Sequence, residues 1–307
     1  MKWGIRLIAM LCISILSFAI TINQDLKYNK YTLPLKYSYG KEKRAVQIEK
    51  MKTNLEMLEQ FENESMAGME KLALLRNYKN VNGQPAPVIG MTADKHGIER
   101  DSIGNKRYQG IPLYKALEDV QPVRYALDGN LVSIINIGLD RYRVKFIETK
   151  EEFYVPKIFI RSLKIKSFNK VIFVDRKNQN IVTLEKAKDS WLIRSINPAS
   201  TGREKPPYSF RTPLGVYVMQ SKLDKMDYLK EGSSTVIEGF APYASRLTGG
   251  VYIHGVPVNL PKTEIIEYSP TLGTYPVSHK CIRTASSHAK FIYEWSFIFE
   301  TAIIVID

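Results

Sequence analysis

The fold of this chain is constrained most by a series of short apolar runs, separated by turn residues, that extends from Gly110 almost to the C-terminus. One run, "LVSIINI", follows the turn Asp128-Gly129-Asn130, and "KVIFVDRKNQNIVTLEK" (170–186) has the pattern of a hairpin. Helical periodicity in this part of the chain is confined to "SSHAKFIYEWSFIFE" (286–300), and no strand–helix–strand alternation occurs. The pattern predicts a mainly β protein with one or two short helices.

The predicted strands fall into two blocks. Residues 108–165 contain short β runs with tight turns, which are typical of a small barrel. Leu113-Tyr114, the strand from Arg141 to Phe146 and the closing "FYVPKIFI" resemble the SH3-like domains of bacterial cell-envelope proteins. The alternative is that these strands extend one larger β domain. Residues 168–307 form the second block, which we expect to be a β-sandwich or barrel.

A helical segment, residues 41–80, is predicted to precede both blocks. It is charged, rich in Met and Leu and free of Pro, and its apolar residues follow a heptad-like spacing. The spacing is interrupted at Glu62 and Ser65, so we expect a surface or stalk helix rather than a strong coiled coil. Residues 81–107, which begin with "VNGQPAPVIG", are predicted to be a linker.

The N-terminus has the pattern of a secretory signal peptide, which we assign to residues 1–22. "MKWGIRLIAMLCISILSFAIT" combines two positive charges, a short apolar run and the small-x-small sequence Ser17-Phe18-Ala19. The alternative is an uncleaved anchor that tethers the protein to a membrane, although the run is shorter than the roughly 20 apolar residues that span a bilayer. We therefore expect an exported protein of the periplasm or cell envelope.

The charge of the chain indicates an anionic partner. The net charge is +13, but no compact Lys/Arg run interleaved with aromatic residues occurs, so nucleic acid is disfavoured. The two cysteines are Cys12, inside the predicted signal, and Cys281. Removal of the signal would leave Cys281 without an intramolecular partner, as either a buried inert thiol or a reactive one.

Cys281 lies in the stretch "SHKCIR" (278–283), close to residues that could activate a thiol. A thiol attacks a carbonyl as its thiolate and therefore needs a base or a positive field nearby. His279 lies two residues before it, and His254 ends the alternating run "GGVYIHG" beside a glycine. A histidine at the end of a core strand is well placed to line a cleft.

Together these residues resemble the signature of the L,D-transpeptidases with a YkuD-type catalytic domain. His254-Gly255 matches the His-Gly of that family, and Ser278-His279-Lys280-Cys281-Ile282-Arg283 matches its cysteine motif. Upstream, Gly202 and "TPLGVY" (212–217) match further family elements. The chain departs from the family at Lys280, where glycine is usual, and a positive φ there would strain a lysine.

The resemblance implies a role for each residue. Cys281 would be the nucleophile and His254 its base, the backbone N–H groups of the His279-Lys280-Cys281 segment would bind the oxyanion, and the His279 side chain would support the loop. Arg283 would orient the loop or bind a substrate carboxylate, and a surface ion pair is its alternative. The other residues expected around the substrate are Tyr252, Ser278 and Gly255. Of the remaining histidines, His288 is expected to face solvent and His96 to be unrelated.

The resemblance also implies a reaction. The thiolate would attack the third residue of a peptidoglycan stem peptide, release D-Ala and pass the acyl group to an amine, forming a 3→3 cross-link. Carbapenem-type inhibitors would acylate the same thiol. Neither a cofactor nor a metal is expected, since the histidines and Cys281 lack the spacing of a zinc site. The alternatives are an L,D-carboxypeptidase, with water as acceptor, and a degenerate enzyme that only binds peptidoglycan.

Overall fold

The computed structural model describes residues 20–68, 70–80, 92–93, 99–100, 110–206 and 208–307. Most of the predicted signal, including Cys12, and most of the predicted linker, including His96, lie outside these residues. Within the described ranges, no helix combines the length and the apolar character needed to cross a membrane.

The described chain is built mainly of strands. The elements before residue 165 are β1 Ile22–Gln24, β2 Lys36–Tyr39, β3 Glu42–Ala45, α1 Ile48–Ala67, β4 Lys71–Leu75, a 3-10 turn Tyr78–Asn80, β5 Thr92–Ala93, β6 Glu99–Arg100, β7 Gly110–Leu113, β8 Arg124–Leu127, β9 Leu131–Ile137, β10 Arg141–Phe146, β11 Glu152–Pro156, a 3-10 turn Lys157–Phe159 and β12 Ile160–Ser162. The later elements are β13 Lys170–Asp175, β14 Asn180–Lys186, β15 Trp191–Pro198, β16 Gly215–Val218, β17 Ser221–Leu229, β18 Ile237–Thr248, β19 Val251–His254, β20 Val258–Asn259, β21 Ile282–Arg283, α2 Ser286–Trp295 and β22 Thr301–Ile306. The prediction of a mainly β fold is confirmed for this part of the chain, with α2 as the short helix predicted near the C-terminus and α1 as a longer helix before the β blocks.

A six-stranded sheet in the order β1-β15-β14-β13-β22-β16 forms the centre of the molecule. Its two faces belong to different hydrophobic clusters, because successive side chains of a strand point in opposite directions. In β13, Val171 and Phe173 lie in one cluster while Ile172 and Val174 lie in the other, and all four are buried. The sheet is therefore covered on both sides.

One face is covered by a second sheet, in the order β17-β18-β19-β21, together with α2. The cluster between the layers includes Leu247 of β18, Ile253 of β19, Ile282 of β21 and Ile292 of α2, all without solvent exposure. Two β layers around one apolar core are the predicted sandwich.

The opposite face is covered by α1, so the prediction of a surface or stalk helix is wrong. Met51, Leu55, Leu58 and Phe61 recur every three or four residues and are completely or almost completely buried against the central sheet. The helix is also shorter than the predicted segment 41–80, because β3 precedes it and β4 follows it.

Glu62, a polar residue that interrupts the apolar face of α1, is buried as well. Glu62 is 3% exposed, and its Oε1 accepts a hydrogen bond of 2.8 Å from the backbone N–H of Phe168. Burial raises the pKa of Glu62 to about 7, an effect that this hydrogen bond partly offsets. A carboxyl that is readily protonated is compatible with a position inside a helix–sheet interface.

A smaller sheet in the order β11-β10-β9-β4-β12, with the β7–β8 hairpin beside it, contains the strands predicted between residues 108 and 165. β4 lies between β9 and β12 in this sheet, although it precedes the linker in sequence. The unit therefore begins before residue 108, and its SH3-like character remains a prediction.

The first described residues pack against the folded domain. Ile22 starts β1, which pairs in parallel with β15, and both Ile20 and Ile22 pack against the core below the central sheet. The predicted segment 1–22 therefore overlaps the first strand. The apolar run extends to Ile22 in the sequence because this residue, which is half-buried, packs against the core.

A buried carboxylate joins the small sheet to the second layer of the sandwich. Asp128, at the end of β8, has no solvent exposure. Its oxygens accept hydrogen bonds from the backbone N–H groups of Asn77 (2.7 Å), Tyr78 (2.9 Å) and Gly249 (3.2 Å), from Gln220 Nε2 (2.7 Å) and from Arg246 Nη1 (2.7 Å).

Replacement of Asp128 by Ala should lower the free energy of unfolding by about 3–5 kcal/mol, because it leaves the Arg246 guanidinium buried and unpaired. Urea-induced unfolding monitored by circular dichroism measures the change. Asp189→Ala, at an exposed turn, is the control and should change stability by less than about 0.5 kcal/mol. Similar midpoints for the two variants would contradict a stabilising role of the Asp128 cluster.

Candidate active site

Two short parallel strands bring the predicted histidine and cysteine together. β19 pairs with β21 so that Ile253 lies opposite Ile282 and His254 lies opposite Arg283. Cys281, one residue before β21, lies two residues along and one strand across from His254, which places the two Cα atoms roughly 8 Å apart. Since alternate residues share a face, Cys281 and Arg283 lie on the same side as Tyr252 and His254.

Cys281 and His254 line the same cavity, which has a volume of about 380 Å³. Ser278, His279 and Arg283 also line it, so five of the residues predicted from the sequence meet here. The side chains of Cys281 and His254 are thus not directed into different parts of the fold.

The Cys281 thiol is half-buried and lies between two backbone groups. Its Sγ lies 3.6 Å from the carbonyl oxygen of Gly250, to which it donates, and it accepts a hydrogen bond from the N–H of Tyr252. Burial raises the pKa of the thiol above its ordinary value, and the Tyr252 N–H and the charges of Arg283 and Lys280 partly offset this effect.

The surroundings of His254 determine its tautomer. Its Nδ1 lies 2.6 Å from the carbonyl oxygen of Gly255, and because a carbonyl only accepts, Nδ1 carries the proton. Nε2 is then the acceptor atom of the neutral ring. Burial lowers the pKa of His254 to about 4, helped by the charge of Arg283 and opposed by the Gly255 hydrogen bond.

The two pKa shifts have opposite directions, and together they favour a neutral thiol beside a neutral imidazole at pH 7. The thiolate that attacks a carbonyl is therefore not the resting form of Cys281. The physical reason is that burial disfavours the charged form of both groups. The arrangement can generate a thiolate by transferring the Cys281 proton to His254 when a carbonyl is attacked.

Arg283 contributes an unpaired positive charge to the cavity. Within the described part of the chain its guanidinium makes no hydrogen bond or ion pair, and its Nε is buried without a partner. The alternative of a surface ion pair therefore finds no support. A half-buried guanidinium without a partner suits a carboxylate, which accepts two hydrogen bonds from its planar fork.

Residues 278–281, which we call the cysteine loop, are held in place by contacts with the segment from Thr201 to Thr212. Thr201 O accepts the N–H of Ser278 (3.1 Å), and Thr212 Oγ1 donates to the carbonyl of Lys280 (2.8 Å). A Cβ added at Gly202 would lie 2.8 Å from the Lys280 Cα, so glycine is required there for the close approach of the two segments. Inside the loop, Ser278 Oγ donates to the carbonyl of Cys281.

Lys280 does not have the conformation that would strain it. It is absent from the described non-glycine residues with positive φ, so no left-handed backbone has to be accommodated at the position where glycine is usual. The substitution is thus compatible with the loop. Oxyanion binding by the N–H groups of residues 279–281 remains a prediction.

His279 lies at the rim of the cavity. Its side chain is 45% exposed, and its Nε2 lies 3.4 Å from the carboxylate of Glu231, in the turn between β17 and β18. This position supports the predicted role of holding the loop, because the contact joins the loop to the tip of the β17–β18 hairpin.

His288 is fully buried, so the prediction that it faces solvent is wrong. Its Nε2 lies 2.8 Å from Ser195 Oγ and its Nδ1 lies 2.9 Å from Thr284 Oγ1, and burial lowers its pKa to about 3. It stabilises the start of α2 against β15. The sequence placed it early in a helix but did not indicate which face of that helix is buried.

The sequence also failed to predict one wall of the cavity. Met226, Tyr228 and Glu238 line it from the β17–β18 hairpin, and Gly255 lies close to Ser286 and Pro242 behind it. The alternation of charged and apolar residues in "SKLDKMDYL" (221–229) indicates a strand, but nothing in it indicates a site. Among the described residues, no group of three or more His, Cys, Asp or Glu side chains could hold a metal ion.

The part of the chain that contains this cavity matches a known family model. Residues 169–304 match the family model of YkuD, described as the L,D-transpeptidase catalytic domain. These bounds include all the residues around the thiol and the imidazole. No curated protein sequence is significantly similar to the chain.

Several solved structures are similar to part of the chain at low sequence identity. An L,D-transpeptidase from Mycobacterium smegmatis is 16% identical, with 64% of this chain and 99% of that chain covered and a TM-score of 0.36. L,D-transpeptidase 3 from Mycobacterium tuberculosis, in complex with a faropenem-derived adduct, is 20% identical, with coverage of 61% and 72% and a TM-score of 0.35. A fused Zn-dependent amidase/peptidase/peptidoglycan-binding protein from Clostridium acetobutylicum is 18% identical, with coverage of 48% and 55% and a TM-score of 0.33. The chain thus spans about half the length of the Clostridium protein.

The pKa of Cys281 can be measured by its alkylation. In a Cys12→Ser background the rate with iodoacetamide should still rise above pH 9.0, the value for an ordinary thiol, because burial disfavours the thiolate. Intact mass measured over time gives the rate, and Cys281→Ser provides the blank. A plateau reached below pH 7 would show a resting thiolate and contradict the neutral pair.

Proposed function

We propose that residues 169–304, which match the family model of the YkuD L,D-transpeptidase catalytic domain, make this protein an exported cysteine acyltransferase that cross-links peptidoglycan stem peptides. The observation that supports this most is the presence of Cys281, His254 and the unpaired Arg283 in one cavity. Export is supported by the signal-like N-terminus and by the location of such a substrate outside the cytoplasmic membrane.

In the first step, His254 Nε2 takes the proton of the Cys281 thiol as the sulfur attacks the carbonyl of the third stem residue. The negative charge on the carbonyl oxygen is stabilised by backbone N–H groups of the cysteine loop. When the tetrahedral intermediate collapses, His254 returns the proton to the nitrogen of the departing D-Ala, and a thioester with Cys281 remains.

In the second step, the side-chain amine of another stem peptide attacks the thioester. His254 accepts a proton from that amine, the new amide forms and the sulfur leaves, which regenerates the thiol. Arg283 binds a substrate carboxylate and holds the reacting carbonyl near the sulfur. Water in place of the amine would yield a shortened peptide, the carboxypeptidase outcome.

Incubation with purified disaccharide-tetrapeptides should produce a cross-linked dimer and free D-Ala, both identified by mass spectrometry. Cys281→Ser should abolish the dimer, because an alcohol is far less ionised than a thiol at neutral pH. A tripeptide without dimer would assign a carboxypeptidase, and no change would assign a non-catalytic binding protein.

Inhibitor labelling provides a readout that does not depend on the acceptor. A carbapenem should add its mass to the wild-type protein and not to Cys281→Ser, as expected for a sulfur that forms acyl adducts. An adduct on both proteins would place the acylation at another residue and contradict the assignment of Cys281.

The base can be distinguished from the rim histidine by a matched pair of variants. His254→Gln should lower kcat by about 10²–10⁴, the usual contribution of a general base. His279→Gln should lower it less than about tenfold, because His279 is exposed and contacts Glu231 rather than the thiol. Circular dichroism would verify that both variants are folded. Equal decreases in kcat for the two variants would reject His254 as the base.

A further inference from the structure

A second cavity, which we call the basic groove, lies between the β2–β3 hairpin and the turn that joins β13 to β14. Its volume is about 530 Å³. It is lined by the cationic residues Lys36, Lys43, Arg44 and Lys177 and by neutral residues, with no Asp or Glu among them. Four positive charges around one concave surface favour an anionic ligand.

Three of these charges have no partner within the described residues. The side chains of Lys36, Lys43 and Lys177 are exposed and make no hydrogen bond or ion pair there. Arg44 differs, because it pairs with Glu42 and donates from Nη1 to the carbonyl of Gly273 at 2.6 Å. The lysines are therefore available to a ligand, whereas Arg44 fixes the groove to the body of the protein.

The polar groups beneath the lysines are already satisfied. Asp175 is 2% exposed, and its oxygens accept hydrogen bonds from Gln47 Nε2 (2.9 Å) and from the N–H (2.9 Å) and Nδ2 (2.8 Å) of Asn178. The hydroxyl of Tyr37 donates to the carbonyl of Asn178 at 2.7 Å. The hairpin and the turn are thus held together by their own contacts. Of the two nearby carboxylates, Asp175 is buried and hydrogen-bonded, and Glu42 pairs with Arg44.

The groove adjoins the loop that leads to the candidate nucleophile. Arg44 holds Gly273 of that loop, residues 269–278, while Ser269 and Ser278 of the same loop line the active-site cavity. Gln179, next to the groove turn, binds the N–H of Thr201 (2.9 Å), and Thr201 O accepts the N–H groups of Val277 and Ser278. One loop therefore contributes to the cavity and is held by the wall of the groove.

We propose that the basic groove binds the peptidoglycan strand through the carboxylates of stem peptides other than the one in the active site. This rests on the proposed function, which makes that strand the substrate. The strand carries carboxylates at repeated positions, and exposed lysines bind such groups weakly and reversibly. We favour the strand over a separate phosphate-bearing polymer because the groove shares a loop with the cavity in which the strand reacts.

The first test measures binding without turnover. Full-length Cys281→Ala should sediment with purified sacculi, and the added substitutions Lys36→Ala, Lys43→Ala and Lys177→Ala should weaken this binding about tenfold. The matched control removes the same charge from three exposed lysines elsewhere, by Lys164→Ala, Lys166→Ala and Lys188→Ala, and should change binding less than about twofold. Equal weakening in both triple variants would overturn the proposal, because net charge alone would then explain it.

The second test separates the groove from the active site. In a protein that retains Cys281, the three groove substitutions Lys36→Ala, Lys43→Ala and Lys177→Ala define the groove variant. Its KM for sacculi should be higher than that of the wild type, while its kcat/KM for a soluble disaccharide-tetrapeptide should equal the wild-type value. Equal KM values on sacculi for the groove variant and the wild type would reject the groove. If the wild type turns over neither substrate, the proposed function fails, and the sedimentation result still decides whether the groove binds the strand.

The third test distinguishes the two sources of negative charge. Sacculi treated with hydrofluoric acid lose phosphodiester-linked polymers but keep the carboxylates of the stem peptides. Binding that survives this treatment and remains sensitive to the three groove substitutions supports the proposal. Binding that disappears would overturn it and assign the groove to a phosphate-bearing polymer.

Discussion

The surroundings of the candidate nucleophile depend on one buried carboxylate. Asp128 receives the guanidinium of Arg246 and the N–H of Gly249, and the carbonyl of the following residue, Gly250, accepts the thiol of Cys281. Tyr78, whose own N–H is bound to Asp128, makes a side-chain hydrogen bond to Tyr252, the residue whose N–H meets the sulfur. The hydrogen bonds to Asp128 offset the free energy that its burial costs. They also connect the small sheet to the turn at Gly249 and Gly250, which lies behind the sulfur.

A neutral thiol–imidazole pair would protect the cysteine in the oxidising compartment to which the proposed function assigns the protein. The thiolate is the form of cysteine that oxidants attack, so a protonated Cys281 is protected while no substrate is bound. The unpaired guanidinium of Arg283 then acts in two ways, since it favours the thiolate and disfavours protonated His254. A bound carboxylate would neutralise that guanidinium and ease the protonation of His254.

Much of the candidate site could be predicted because its signals are local in sequence. Strand alternation places Tyr252 and His254 on one face, and the motif around Cys281 lies within six residues. The covering of the central sheet by α1 could not be predicted, since a buried amphipathic helix and a stalk have nearly the same apolar spacing. The pairing of β4 with β9 and β12 depends on contacts distant in sequence.

The wall of the active-site cavity shows a related limit. The sequence of the β17–β18 hairpin is typical of an exposed pair of strands. Tyr228 and Glu238 line the cavity because the hairpin lies beside the cysteine loop, and the sequence does not indicate this position. The burial of His288 has a comparable explanation, because Ser195, which binds Nε2 of its ring, is distant in sequence. The sequence indicates which chemistry is present more readily than it indicates which surfaces meet.

The parallel pairing of β1 with β15 has a consequence for any shortened form of the protein. A strand at the border of a sheet exposes unpaired N–H and C=O groups that readily add a strand from another molecule. Here three residues, Ile22–Gln24, cover that border beside Trp191 and Ile193. Removal of the chain up to Gln24 would make β15, which is eight residues long, the border strand in place of the three-residue β1 and would favour self-association.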